Sequence, residues 1–403
     1  MKTQIRLALT TALLTTSIAY AGDKEDIAEL KQQVKELQEM TQTLTDETSD
    51  LKTGFNYTTV DESKRYTGLG PAASKVYYSS SPLSIGGYGE MYYSNTESSD
   101  DPTLDSSQTE VKRFITYFGY KFSDNIILNA ELEYEGGGVT ADGTGDTVAV
   151  EFMYLDFLLN KNFNLRVGNF LVPMGLTNEQ HEPTIITTVA RPSTAKYIIP
   201  STWNESGVMA YGEIIQGVEY KVALINALKP TDTGDKWIRN GRNGAYPNSD
   251  VRFASVLRVD YSGTSGLLAG VSLYNDADIL MMDAHMDYSY KGARIYGTYA
   301  QTSRSTQTIG AVTKLFGGYI NGSYDILSLT NLNYKMPLFV QYEVYNPQLT
   351  INQGVSSSQD TKNTTLGINF FPHEQVVLKA DYMFSSTGSI DSTIASLSLG
   401  FVF

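Results

Sequence analysis

The sequence has no cysteine, only 12 prolines among 403 residues, and no long continuous apolar run beyond its first 21 residues. The missing cysteines exclude a disulfide framework and thiol chemistry. The missing apolar runs exclude a transmembrane helix, which needs about 20 such residues. Basic residues are also few, since 30 Lys and Arg stand against 44 Asp and Glu. Without a basic stripe to displace phosphate counterions, we expect no nucleic-acid partner.

Signatures of enzymes are also missing. We find no Gly-rich phosphate loop followed by Lys-Ser/Thr and no Gly-x-Ser-x-Gly elbow. With three histidines and no cysteine, a metalloenzyme is not expected. Asp283, His285 and Asp287 share one face of a predicted strand, where they bind a cation or are simply hydrated. We predict that the protein is not an enzyme and has no catalytic residue, cofactor or resident metal.

The amino terminus has the pattern of a secretory signal. Lys2 and Arg6 precede an apolar stretch over residues 7–18, and the Ala-Tyr-Ala sequence at 19–21 fits the A-x-A pattern of a cleavage site. We therefore predict a signal peptide over residues 1–21. Its removal leaves 28 basic against 44 acidic residues, a net charge of −16.

Strands with one apolar and one polar face recur along most of the chain. At the carboxy end Leu397, Leu399 and Phe401 alternate with Ser396 and Ser398. A soluble sandwich also has this alternation, but the chain is exported and holds 28 tyrosines and 16 phenylalanines, which suit the aromatic girdles of a membrane barrel. The alternation therefore predicts an all-β membrane protein, an antiparallel transmembrane β-barrel over residues 83–403.

The connections between predicted strands alternate between long and short. Residues 136–146 form a long connection, residues 160–162 a short turn, and residues 171–205 the longest loop of all. Long loops at one end and short turns at the other are typical of outer-membrane barrels. We predict about 16 strands; an even number places both chain termini on the periplasmic side.

A helical segment precedes the barrel. Within residues 22–52, apolar residues and two threonines alternate at spacings of three and four, which predicts a short periplasmic coiled-coil helix. The seam either self-associates or lies on the barrel or the membrane. Residues 53–82 are a Ser-, Thr-, Tyr- and Gly-rich linker without an assigned element.

A barrel of about 16 strands encloses an aqueous channel, so its polar faces are predicted to line a pore. Their charges are of mixed sign and either create a transverse field or pair across strands. The 171–205 loop either folds inward as a constriction or stacks over a neighbouring subunit. The predicted pore-lining and solute-contacting residues are Arg113, Arg166, Arg191, Lys196, Lys221, Arg252, Arg258, Arg294, Lys379, Glu131, Glu133 and Asp156.

Several short motifs resemble one known family. The residues are LRVGNF at 165–170, PMGL at 173–176, Arg191-Pro192, GVMAYG at 207–212 and FPHEQV at 371–376. They resemble the phosphate-selective-porin-like proteins, and the heptads before the barrel resemble the DcaP-like branch. The resemblance covers most of residues 83–403. It implies a homotrimer of 16-stranded barrels with a constricting third loop, and a terminal Phe403 read by the barrel-assembly machinery. The long loop lacks the basic character of phosphate-selective members, so small organic anions, or no strong selectivity, fit as well.

The predicted function is passive diffusion of small hydrophilic solutes, anions among the candidates, through a water-filled porin channel. The expected location is the outer membrane of a Gram-negative bacterium, in contact with lipid and lipopolysaccharide. The alternative is a structural outer-membrane anchor whose coiled coil tethers the envelope.

Overall fold

The computed structural model describes residues 31–42, 60–61, 64–137, 148–354 and 360–403. The predicted signal peptide and most of the predicted coiled coil lie outside these residues. The chain divides into two units, Met1–Thr58 and Thr59–Phe403. In the first unit, residues 31–42 are helical (α1), and the seam residues Val34 and Leu37 are about half exposed, at 48% and 56%.

The second unit is a closed antiparallel barrel of sixteen strands, which confirms the predicted fold class and strand number. β1 pairs with β2 on one side and with β16 on the other, so Tyr88 lies opposite both Ile115 and Val402. Closure leaves no open sheet edge, as a strand structure inside a bilayer requires. The strands are β1 Leu83–Ser98, β2 Ser106–Ser123, β3 Ile126–Glu135, β4 Val148–Asn160, β5 Phe163–Leu171, β6 Asn204–Ile215, β7 Val218–Asn226, β8 Phe253–Tyr261, β9 Leu267–Asn275, β10 Ile279–Tyr290, β11 Ala293–Arg304, β12 Val312–Asp325, β13 Pro337–Ile351, β14 Thr361–His373, β15 Val376–Thr387 and β16 Ile390–Val402.

The barrel is apolar outside and polar inside. In β16, Leu397 is 54% exposed on the outer face, whereas Ser396 and Ser398 are buried on the inner face. This orientation is the reverse of a soluble β-sandwich and matches a lipid-facing wall. Six of the exposed aromatic side chains lie near one end of the barrel, as in an interfacial girdle; they are Tyr120, Phe122, Phe163, Tyr261, Tyr290 and Tyr324. Among the described residues, no helix is both long enough and apolar enough to span a bilayer.

Connection lengths distinguish the two ends of the barrel. The end that carries the start of β1 and the end of β16, here the short-turn end, has turns such as 161–162 and 291–292. The opposite, long-loop end carries the 172–203 and 227–252 connections. There are exceptions at both ends. The 326–336 connection is long although it lies at the short-turn end, and the 276–278 and 388–389 connections are short although they lie at the long-loop end.

The linker region contains an element for which the sequence predicted none. Helix α2, Pro71–Tyr78, begins with proline in its first turn, where the fixed backbone angle suits a helix start. Ala72, Ala73 and Val76 on this helix are buried, and α2 packs against β1, β2 and β3. Val76 lies against Gly119, which is buried on the inner face of β2. The helix is therefore inside the barrel, at its short-turn end.

Candidate functional site

The barrel lumen is crossed by the connection between β5 and β6, residues 172–203, which we call the inner loop. Its two ends are tied together by Asn178, whose side-chain amide donates to the carbonyls of Val172 and Trp203, each at 2.8 Å. The side-chain oxygen Oδ1 of Asn178 accepts the backbone N–H of Trp203 at 2.8 Å. Trp203 is fully buried, so these backbone groups have no access to water and need such partners. Val172, Asn178 and Trp203 thus form a closed base, which we call the neck of the inner loop, where the loop leaves β5 and enters β6.

The first half of the inner loop contacts two separate parts of the barrel wall. The Glu179 carboxylate lies 2.6 Å from the Lys221 ammonium on β7 and 3.4 Å from the Arg258 guanidinium on β8. Two residues later, His181 Nε2 lies 3.8 Å from a Glu131 carboxylate oxygen on β3. The chain therefore crosses from the β7–β8 wall to the β3 wall within three residues.

Side chains of the wall hold the remainder of the inner loop by its backbone. Lys379 donates to the Ile186 carbonyl at 2.6 Å and to the Thr188 carbonyl at 3.2 Å. Other wall groups do the same: Arg294 donates to Ile185 O, Asp381 accepts from Val189 N, and Glu343 accepts from Thr194 N, at 2.6, 2.7 and 2.7 Å. Charge-assisted bonds of this kind are stronger than neutral ones. The inner loop is consequently a docked element of the lumen.

The inner loop also holds α2. The Glu182 carboxylate accepts the backbone N–H groups of Ala72 and Ala73, at 3.0 and 3.1 Å. These are first-turn N–H groups that lack a partner within the helix, and they lie at its positive end. A buried carboxylate thus caps a buried helix, and the two inner elements stabilise each other.

A second buried cluster lies beside α2. Arg166 on β5 makes a bidentate ion pair with Asp156 on β4, at 2.9 and 2.8 Å, and its guanidinium stacks 4.0 Å above the Tyr154 ring. The Tyr77 hydroxyl of α2 donates to the same Asp156 carboxylate. Tyr66 stacks on Tyr77 with the ring centroids 3.8 Å apart. Since the pair is completely buried, its charges stabilise the packing of α2 rather than face free solvent.

The structure places the predicted site residues in four settings. The following lie on the inner face of the wall and are buried: Arg113, Arg166, Lys221, Arg258, Lys379, Glu131, Glu133 and Asp156. Arg294 is half-buried, with a bidentate ion pair to Asp287. Arg252 is exposed at the long-loop end, 3.4 Å from Asp278. Arg191 and Lys196 lie on the inner loop and are partly exposed.

Cations from two loops gather at the long-loop end of the lumen. Arg239 and Arg242, on the 227–252 connection, donate to the Ser201 carbonyl near the neck of the inner loop. Burial, and then the charge of Arg242, lower the pKa of Arg239 to about 10. Burial, and then the charges of Arg239 and Lys236, lower the pKa of Lys196. The crowding of like charges makes this face of the lumen positive.

Carboxylates of β3 and β4 act on the same cations. The negative charge of Glu135, on β3, raises the pKa of both Lys196 and Arg239, whereas their cationic neighbours lower it. Burial lowers the pKa of Arg242. Carboxylates of β3 and β4 raise it, and Glu151 has the largest effect among them. We call Lys196, Lys236, Arg239 and Arg242, together with Arg191, the basic face of the lumen.

The predicted cation candidate on β10 is divided between two ion-pair clusters. His285 contacts Asp283 through Nδ1 at 2.7 Å and Asp260 through Nε2 at 2.9 Å. Asp287 pairs instead with Arg294. Both imidazole nitrogens already have carboxylate partners, so these three residues do not converge on a common ion.

A different group of potential ligands converges on the inner loop, and its spacing in the sequence gives no sign of it. Glu131 on β3, Glu151 on β4 and His181 on the inner loop offer ligand atoms that all lie within 4.8 Å of one another. Glu131 and His181 are 50 residues apart in the sequence, and only the inward fold of the loop joins them. Alternation along β4 does not single out Glu151, because this residue lies at a β-bulge beside Phe152, and both residues are buried.

Comparison with known proteins agrees with this architecture. No family model matches the chain. Among solved structures it is similar to the outer membrane channel DcaP of Acinetobacter baumannii (TM-score 0.55, 13% identity, 80% of this chain and 97% of that one). It is also similar to OmpF of Salmonella typhi, solved in complex with daunomycin (TM-score 0.55, 12% identity, 79% of this chain and 97% of that one). The fold is therefore that of a porin-type transmembrane barrel.

At the level of sequence, the chain is 33% identical to a protein of Aquifex aeolicus (strain VF5) over 355 residues, 79% of each chain. The chain belongs to the same family as this protein, which is described as uncharacterized. Membership of the phosphate-selective-porin-like family stays a prediction.

Proposed function

We propose that the protein is an outer-membrane porin through which small hydrophilic solutes diffuse passively past the inner loop. The observation that carries this proposal is the inner loop itself, which is docked across a sixteen-stranded barrel by Lys221, Arg258 and Lys379. A barrel of this size is wide enough for an aqueous lumen, and a fixed loop within it sets the bore. The apolar outer wall and its aromatic girdle support the membrane location.

We further propose that the charge arrangement orients and selects solutes. The basic face carries Arg191 and Lys196 on the inner loop, and Glu135 on the opposite wall is partly exposed. Opposed charges in a narrow, low-dielectric opening create a transverse field that aligns dipolar solutes. Because the basic face gathers five cations from two loops, we expect small anions to be admitted in preference to cations of the same size.

A homotrimer is the proposed assembly. In α1, the seam residues Val34 and Leu37 are about half exposed, and an apolar seam of this kind is stable when partner helices cover it. Replacement of both residues with glutamate tests whether the helix holds the trimer, with the double change Lys31→Glu and Lys35→Glu as the matched control. Light scattering in detergent then reports the mass. If the protein with both glutamate substitutions is still a trimer, the contacts that hold the trimer lie on the barrel wall.

The porin proposal is tested by conductance in planar bilayers. The purified protein, folded in detergent and checked by its heat-dependent mobility, is expected to give stepwise ion currents. A folded preparation that inserts but carries no current contradicts the proposal. That result favours the structural anchor, which the packing of α2 inside the lumen also suits. Deletion of α1, followed by an assay of envelope attachment, then tests the anchor directly.

A further inference from the structure

The group formed by Glu131, Glu151 and His181 is almost completely buried. Their side chains are 0%, 5% and 4% exposed. His181 Nε2 lies 3.8 Å from Glu131 Oε1, and ligand atoms of all three residues lie within 4.8 Å of one another. Buried carboxylates are costly unless they are paired or coordinate a metal.

The imidazole of His181 is oriented by its own loop. Its Nδ1 lies 2.8 Å from the carbonyl oxygen of Asn178. A carbonyl oxygen only accepts, so Nδ1 carries the proton and the neutral ring has its lone pair on Nε2. That lone pair faces the carboxylates. A histidine that ligates a metal through one nitrogen commonly donates from the other to a backbone carbonyl in this way.

The facing atoms receive no hydrogen bond from any other side chain or from the backbone. Within the part of the chain that the structure describes, no donor of another residue reaches the oxygens of Glu131 and Glu151 or His181 Nε2, and the two carboxyl groups lie within hydrogen-bonding reach of each other. The charges of Arg191 on the inner loop and Arg113 on β2 act on these carboxylates. Among the described residues, however, neither cation makes an ion pair within 4.0 Å of Glu131 or Glu151. Two carboxylates and a lone pair thus point at one another, which is repulsive unless a positive species lies between them.

We propose that Glu131, Glu151 and His181 bind a divalent transition-metal ion of the zinc class, which fastens the inner loop to the β3–β4 wall. One imidazole nitrogen and two carboxylate oxygens form a donor set that suits such an ion, with a solvent or neighbouring oxygen as fourth ligand. With bonds of about 2.1 Å, two tetrahedral ligand atoms lie roughly 3.4 Å apart. The 3.8 Å separation of His181 and Glu131 needs only a small inward shift.

The proposed ion joins the inner loop to two paired strands of the wall, β3 and β4. His181 belongs to the inner loop, and it is adjacent to Glu182, which caps α2. Fixing His181 to β3 and β4 therefore also fixes the position of α2. Because the ligands are buried, the ion enters as the loop docks, and metal binding is coupled to the last step of folding.

The test is retention of zinc by the untagged full-length protein. Protein refolded in detergent with Zn²⁺ and passed through chelating resin is expected to keep about one ion per chain, measured by mass spectrometry of the element. The variants Glu131→Gln, Glu151→Gln and His181→Asn are each expected to bind at least about tenfold more weakly, as loss of one of three protein ligands implies. His373→Asn and Glu374→Gln, which change an exposed histidine and carboxylate in the 374–375 turn region, are expected to retain the ion.

Cobalt supplies a second measurement that needs no variant. Co²⁺ in the refolded wild-type protein is expected to give the visible absorption of a four-coordinate site and to be displaced by Zn²⁺. Absence of both zinc retention and a cobalt spectrum overturns the proposal, and the carboxylates then share a proton. Equal zinc retention by wild type and the three ligand variants also overturns it. Neither result bears on whether the barrel conducts.

Discussion

Gly119 on β2 leaves the space that Val76 of α2 occupies. A Cβ atom added at Gly119 would lie 2.4 Å from the Cβ and from one Cγ of Val76, which is closer than packed carbon atoms approach. The absence of a side chain at this position of the wall therefore allows a helix to dock inside the barrel.

Gly119→Ala is expected to weaken the docking of α2. Overpacking of this kind costs about 1–3 kcal/mol, measured as the free energy of unfolding in denaturant, and exposes residues 64–82 to protease. Gly322→Ala is the matched control, because a Cβ there meets no atom within 4 Å. If the two variants are equally stable and equally resistant to protease, α2 does not pack as described. Addition of Val76→Gly to Gly119→Ala should cost less than the sum of the single changes, since the clash is then removed.

Asp156→Asn is expected to destabilise the barrel strongly. It leaves the Arg166 guanidinium buried without its bidentate partner, and loss of one partner of a buried pair costs about 3–5 kcal/mol. The double change Asp156→Asn with Arg166→Met should recover most of this loss, because no uncompensated charge remains. Unfolding in denaturant measures both.

The exposed pair of Asp250 and Arg252 gives the control for this prediction. Both side chains face solvent, and Asp250→Asn is expected to change stability little. Equal effects of Asp156→Asn and Asp250→Asn would contradict the assigned role of the buried pair.

The double change Arg191→Ser with Lys196→Ser is expected to shift ion selectivity toward cations. These side chains are the inner-loop part of the basic face, so their loss should lower the anion-to-cation permeability ratio roughly twofold or more. Reversal potentials in a salt gradient measure the ratio. Lys335→Ser removes an exposed cation in the 326–336 connection and should leave it unchanged. An unchanged permeability ratio in the double variant would contradict the proposal that the basic face lies along the conduction path.

Alternation along each strand made most of the barrel predictable. The inward serines and outward leucines of β16 follow directly from period-2 geometry, and strand number follows from counting such segments. The inner elements were not predictable in the same way. No local sequence pattern predicts the contact of Val76 with Gly119, because that contact depends on the closure of the barrel around α2.

The partners of the charged side chains in the lumen could not be predicted from the sequence either. Asp156 and Arg166 lie opposite each other through strand register, which the alternation of the strands alone does not supply. Glu179 meets Lys221 and Arg258 only because the inner loop turns inward. The sequence left open whether such charges pair or face the pore, and the structure shows that Asp156 pairs with Arg166 and that Glu179 pairs with Lys221 and Arg258.

The central claim is that ions pass beside the inner loop, and the absence of cysteine from the chain allows a direct test. Single-channel current through Lys196→Cys is recorded while a charged thiol reagent is added. The account predicts a stepwise fall in conductance as the reagent reacts, with no change for Lys335→Cys. A conducting Lys196→Cys channel that reacts fully with the reagent and keeps its current would contradict the account.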